Sequence, residues 1–151
     1  MAEFVKNEVQ LVEAGQNVIL DTVIGCNKGY VLHRNESGIV ILRGIVNNPT
    51  ACFARYQVTF NGNIALPEGT AVPIAIALAI DGEPIQTSRA IATPAAAEDY
   101  FNVTSTAIIT VPRGCCFTVA VENVSPSPTP ATTPAPAINV QNANLTVARI
   151  A

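Results

Sequence analysis

The only histidine of the chain lies in its densest polar cluster, His33-Arg34-Asn35-Glu36-Ser37. An imidazole titrates near neutrality and a nearby carboxylate can orient it, so acid–base chemistry is sought here first. The cluster lacks a nucleophile and a base in workable register. Its charged residues are near neighbours in a polar turn that ends at Gly38. His33, Arg34 and Glu36 therefore read as a solvated turn or a rim ion pair, with binding as their candidate role.

The four cysteines, Cys26, Cys52, Cys115 and Cys116, contain no C-x-x-C unit, and the histidine is far from them in sequence. That spacing gives no zinc site. Cys115 and Cys116 are adjacent, so in a strand they point to opposite faces. One is expected to be a core thiol and the other to face an interface or a partner cysteine. Reduced buried thiols are the default reading, and a disulfide formed after release from a cell is the alternative. No phosphate-binding glycine loop and no nucleophile elbow is present. The expectation is a non-enzyme with no cofactor and no metal.

Charge excludes further classes. Of the 151 residues 49% are hydrophobic and only 13% charged, which is a low charge density for a surface meant to stay monomeric. The net charge is −3 and no two basic residues adjoin, so a nucleic-acid footprint is absent. Nothing reads as a membrane span, and the opening MAEFVKNEVQLVEAG does not read as a secretory signal.

The elements that must position these residues are strands. In VPIAIALAIDGEPI, residues 72–85, Ile74, Ile76, Leu78 and Ile80 alternate with Ala75, Ala77 and Ala79. The period of two predicts a strand that is apolar on both faces. A sandwich has one inside, so the alanine face is expected to meet a neighbouring subunit, the other reading being an alanine-rich central strand. Asp81-Gly82 supplies hairpin chemistry. Ala54, Tyr56, Val58 and Phe60 alternate with Phe53, Arg55, Gln57 and Thr59, and Asn61-Gly62 reads as the turn that ends this strand. Alternation returns from Tyr100 to Val111 and from Cys115 to Asn123. Pro94-Ala95-Ala96-Ala97 suggests a single helical turn. Residues 125–136, rich in Ser, Thr and Pro, read as an extended protruding loop whose Ser127, Thr129, Thr132 and Thr133 are candidate contacts. Residues 1–16 are an N-terminal arm or first strand, and 137–151 the last strand. About nine strands with turns at short intervals predict one all-β domain over residues 1–151, an antiparallel sandwich.

Several stretches resemble the jelly-roll family of C1q and tumour necrosis factor-like heads, and more closely the bacterial collagen-associated heads of spore-surface filament glycoproteins. They are Gly29-Tyr30-Val31-Leu32-His33-Arg34 with Ser37-Gly38-Ile39, then Ala54-Arg55-Tyr56-Gln57-Val58-Thr59-Phe60. Ile80-Asp81-Gly82-Glu83-Pro84-Ile85 and the terminal run Asn142 to Ala151 complete the match. The resemblance implies a jelly roll and a homotrimer formed through one sheet of each sandwich. Tyr56, Ala75, Ala77, Ala79 and Phe101 are the expected interface residues. Similar heads occur in phage structural genes, so the expected setting is a virion surface, as capsid decoration or head fibre, with capsid or fibre proteins and surface glycans as partners. The alternatives are a spore or bacterial cell-surface head, or a soluble ligand-binding module.

Overall fold

In a computed structural model, which describes residues 1–25, 29–128 and 133–151, the chain forms two six-stranded antiparallel sheets packed face to face. The strands are β1 (Ala2–Lys6), β2 (Gln10–Val12), β3 (Thr22–Ile24), β4 (Val31–His33), β5 (Val40–Arg43) and β6 (Phe53–Ala65). They continue as β7 (Ile74–Ile80), β8 (Glu83–Pro84), β9 (Ala90–Ala92), β10 (Phe101–Pro112), β11 (Cys116–Asn123) and β12 (Ile138–Arg149). The first sheet runs β10-β6-β12-β1-β3, with β2 also on β12. The second runs β4-β5-β11-β7-β8, with β9 also on β7. Neighbours far apart in sequence, such as β6 and β12, make this the jelly-roll type of sandwich that the alternation predicts.

One hydrophobic cluster from Ala2 to Val147 fills the space between the sheets. Residues 1–16 are not a free arm. Ala2 and Phe4 are buried in that cluster, and the Gly15 and Gln16 backbone hydrogen-bonds to Asn123.

The hairpin at Asp81-Gly82 forms as its sequence predicts, with φ of 50° and 85° at the two positions. Asn61-Gly62 does not turn. β6 runs straight through it to Ala65, because Gly62 faces inward and the Phe60 ring occupies the space a side chain would need. A Cβ at Gly62 would lie 2.8 Å from the end of that ring. The expected helical turn at 94–97 is also absent. The segment bends instead, and the one helical element among the described residues is a 3-10 turn at Gln86–Ser88. Within β12 a bulge at Gln141–Asn144 inserts Asn142 at φ 54°, so the inward parity changes from Val140 to Ala143.

Candidate functional site

Alternation along β6, β10 and β12 sends apolar residues into the core and leaves a nearly uncharged polar face on the other side of the first sheet. Thr59 and Thr106 join hydroxyls at 3.0 Å. Asn61 donates to Thr104 Oγ1 at 3.0 Å, and Asn102 donates to Asn61 at 2.9 Å and to Asn63 at 3.1 Å. Thr146 donates to Asn144, which in turn donates to the Glu3 carboxylate at the far side. Cross-strand carboxamides and hydroxyls of this kind hold one another in place. Ile108 stands on this face with 65% of its surface exposed. β10 is the sheet's edge and pairs only with β6.

A second feature lies at the end of the sandwich where β6 begins and β12 ends. Three connections far apart in sequence meet there: Gly29-Tyr30, the residues after β5, and the turn between β10 and β11. They border a half-open cavity of about 510 Å³ lined by Tyr30, Arg43, Val46, Asn47, Cys115 and Cys116, with Gly29, Gly44 and Gly114 between them. A Cβ on Gly44 would meet the Pro112 carbonyl oxygen at 2.1 Å, so this wall is bare backbone. Tyr56 donates its hydroxyl to the Arg43 carbonyl at 2.5 Å, and Arg43 donates its backbone N–H to the Tyr30 carbonyl at 2.8 Å. These bonds fix the floor. The guanidinium carbon of Arg149 sits 4.3 Å from the Tyr30 ring centre, in cation–π contact.

Arg55 and Arg113 belong to the same end. Arg55 N–H bonds to the Ala151 carbonyl, and Arg113 N–H to the Cys52 carbonyl. Among the described residues the one ion pair is Lys6–Asp21 at 2.7 Å, on another part of the surface. Among the described residues Arg43 and Arg55 form no ion pair, Arg113 donates to the Pro49 carbonyl at 3.1 Å and Arg149 Nε to the Ala151 oxygen at 3.3 Å, and no Asp or Glu is among the residues that line the cavity.

The residues singled out in the sequence fall as follows. His33 turns inward: its ring stacks on Phe4 at 4.9 Å, and its Nε2–H faces the Ser37 carbonyl at 3.0 Å. A carbonyl can only accept, so the proton is on Nε2, and Nδ1 is left buried without a partner. The imidazole is packing, not a surface contact. Arg34 and Glu36 are exposed on the turn beyond it, and no ion pair joins them. Ser127 and Thr133 are exposed, while Thr129, Thr132 and Cys26 lie outside the described residues.

Two interface assignments are corrected. Tyr56 is fully buried, because its parity on β6 faces the core. Ala75, Ala77 and Ala79 are 0%, 1% and 1% exposed within the single chain. Their cross-strand neighbours on that face are Ile91, Glu122, Ala120 and Pro84, and the small methyls sit below this larger surround. The stripe expected in water is not there. Phe101 remains 42% exposed but shares the core-facing parity of β10, opposite Ile64 at the sheet's end. The thiol expectation also changes. Cys52, Cys115 and Cys116 are all exposed and unpaired, since Cys115 belongs to the turn and Cys116 to the outward side of β11.

No family model matches the chain, and no curated protein matches it. Among solved structures it is similar to the globular domain of zebrafish complement 1qA protein, at 13% identity and a TM-score of 0.56. That alignment covers 96% of this chain and 94% of the other. The fold is the C1q-like jelly roll. The C-terminal domain of EclA, a sugar-binding protein, aligns at 15% identity and a TM-score of 0.42, over 95% of this chain and 79% of that one. CBM35 from Cellvibrio japonicus Abf62 aligns at 13% identity and a TM-score of 0.28, over 94% and 97%. Scores this low carry no argument.

The C1q-like fold explains why the sequence missed the cavity. Its walls come from three connections on different strands, and no local spacing marks them. The one available signal was that Arg43, Arg113 and Arg149 each stand at or next to a strand end.

Proposed function

We propose that the chain is a non-catalytic head that assembles as a homotrimer through the outer face of β6, β10 and β12. One observation carries the reading: this broad face is built of carboxamides and hydroxyls, almost free of charge, and presents Ile108 with 65% of its surface in water. Copies that meet there face no like-charge repulsion and bury few groups that water alone can satisfy. The long edge of β10 needs cover, and a neighbouring copy supplies it. Three copies about an axis close the contact and stop further growth, which suits an outermost layer.

The setting we assign is a particle surface, foremost a virion, as capsid decoration or fibre head. A spore or bacterial cell surface is the alternative. The half-open end cavity supports a binding role for the head, and the exposed Ser127 and Thr133 on the long loop support contact with surface glycans. Sedimentation equilibrium tests the assembly. The wild type is expected at three times 15.8 kDa, and Ile108→Glu at 15.8 kDa. A folded wild-type monomer at micromolar concentration ends the trimer reading. A trimeric Ile108→Glu variant removes this face from it.

A further inference from the structure

We propose that the end cavity binds a carboxylate-bearing monosaccharide, with the Arg43 guanidinium as the anion fork and the Tyr30 ring as the wall for the sugar's apolar face. The cavity's volume of about 510 Å³ is in the range of small-ligand sites. Its polar groups are mostly donors. Arg43 offers a planar fork that matches a carboxylate bidentately, Asn47 offers a carboxamide to hydroxyls, and no Asp or Glu lines the walls to accept from a neutral sugar.

Arg43 has no carboxylate within 4.0 Å among the described residues, although the protein's net charge is −3. Arg149 lies over one side of Tyr30 with its Nε held by the Ala151 oxygen at 3.3 Å, so Arg43 is the cation left to a ligand. Tyr30 keeps 41% of its surface exposed, so the ring is available as well as oriented. A continuous basic groove would suit a polyanion. A short, half-open cavity with one fork and one aromatic wall suits a single acidic sugar unit.

The free thiols of Cys115 and Cys116 line the cavity, whereas Cys52 is exposed outside its lining. They provide a readout that is independent of assembly state. The protein is alkylated with iodoacetamide, a neutral reagent, in D-glucuronate, D-glucose or sodium sulfate at matched ionic strength, and each cysteine is followed by peptide mass spectrometry. Glucuronate is expected to slow alkylation of Cys115 and Cys116 and to leave Cys52 unchanged. Glucose and sulfate are expected to protect clearly less.

Amide NMR titration with glucuronate then gives the affinity. Arg43→Ala is expected to weaken it about tenfold or more, since a charge-assisted bidentate pair is lost. Arg43→Lys keeps the charge without the fork and is expected to bind more weakly than the wild type. Arg43 is exposed, so neither change threatens the fold. Equal protection by glucose shows that the carboxylate is not read. Equal protection by sulfate shows a simple anion site. No protection, or unchanged affinity in Arg43→Ala, overturns the proposal outright.

Discussion

The Tyr56 hydroxyl, inside the sandwich, donates to the backbone carbonyl of Arg43 at 2.5 Å and so ties the first sheet to the connection that floors the cavity. Burial raises the phenol's pKa above its usual value, against a smaller opposing effect of Arg149. A raised folded pKa means that this contribution is intact below the unfolded value of about 10 and is lost as pH rises through the folded value. At neutral pH the group is a secure donor. Tyr56→Phe leaves the carbonyl without this donor in a dry place, which costs about 1–3 kcal/mol. Calorimetry at neutral pH should show a melting temperature lower by several degrees. An unchanged value would show that another donor replaces the hydroxyl.

Gly38 and Val18 approach so closely that no side chain fits between them. A Cβ on Gly38 would lie 2.0 Å from the Val18 carbonyl oxygen, and Val18 N–H is itself bonded to Val121 at 2.8 Å. Separating these backbones disturbs the pairing of β11. Gly38→Ala is expected to destabilise by about 3 kcal/mol or more. Gly15→Ala is the control. Its φ is 76° but nothing lies within 4 Å of the added carbon, so only conformational strain of about 1–2 kcal/mol applies. Urea midpoints should rank the two variants in that order.

Much of this architecture is legible from alternation. Ala54 to Phe60 and Ile74 to Ile80 name their own inward faces, and Asp81-Gly82 names its turn. The failures share one physical cause. Asn61-Gly62 looks like a turn until the Phe60 ring is placed over Gly62, and that packing is tertiary. The alanines of β7 look like an interface until their larger cross-strand neighbours are known, and register is not written in one strand. His33 reads as part of a solvated turn until Phe4 of β1, distant in sequence, stacks on it. The cavity stayed invisible because Tyr30, Arg43 and Cys116 are neighbours only through strand pairing.

Glu122 is expected to work against stability at neutral pH. Its carboxyl pKa is raised, first by burial and second by the nearby charge of Glu83. The wild type is therefore fully stable with respect to this group below the unfolded value of about 4.3, and loses stability as pH rises through the folded value. Glu122→Gln removes the titration. The variant should melt higher than the wild type at pH about 7, with the gap closing at pH about 4. A gap that is equal at both pH values would remove desolvation of the charge as the cause.

The last prediction concerns the long loop at 125–136, whose first flank is tied to the sandwich. Residues 125–136 read from their sequence as one extended protruding loop, yet Ser125 is 7% exposed and the preceding Asn123 only 1%. The Ser125 hydroxyl donates to Asn123 Oδ1 at 2.6 Å and accepts from the Ala75 backbone N–H at 3.0 Å. Asn123 Nδ2 donates to the carbonyls of Val12 and Pro136, each at 3.0 Å. One carboxamide thus joins the opening strands, β11 and the return into β12. Breaking it strands several buried partners at once, so Asn123→Ala is expected to cost about 2–4 kcal/mol. Replacing residues 127–134 with a Gly-Ser sequence of equal length leaves all of these bonds in place. It removes only Ser, Thr, Pro and Ala residues that supply no large apolar side chain, and should change stability by no more than about 0.5 kcal/mol. Chemical denaturation of the two variants separates the parts. A large loss in the Gly-Ser variant would show that the middle of the loop packs on the sandwich. A small loss in Asn123→Ala would show that water takes over its bonds.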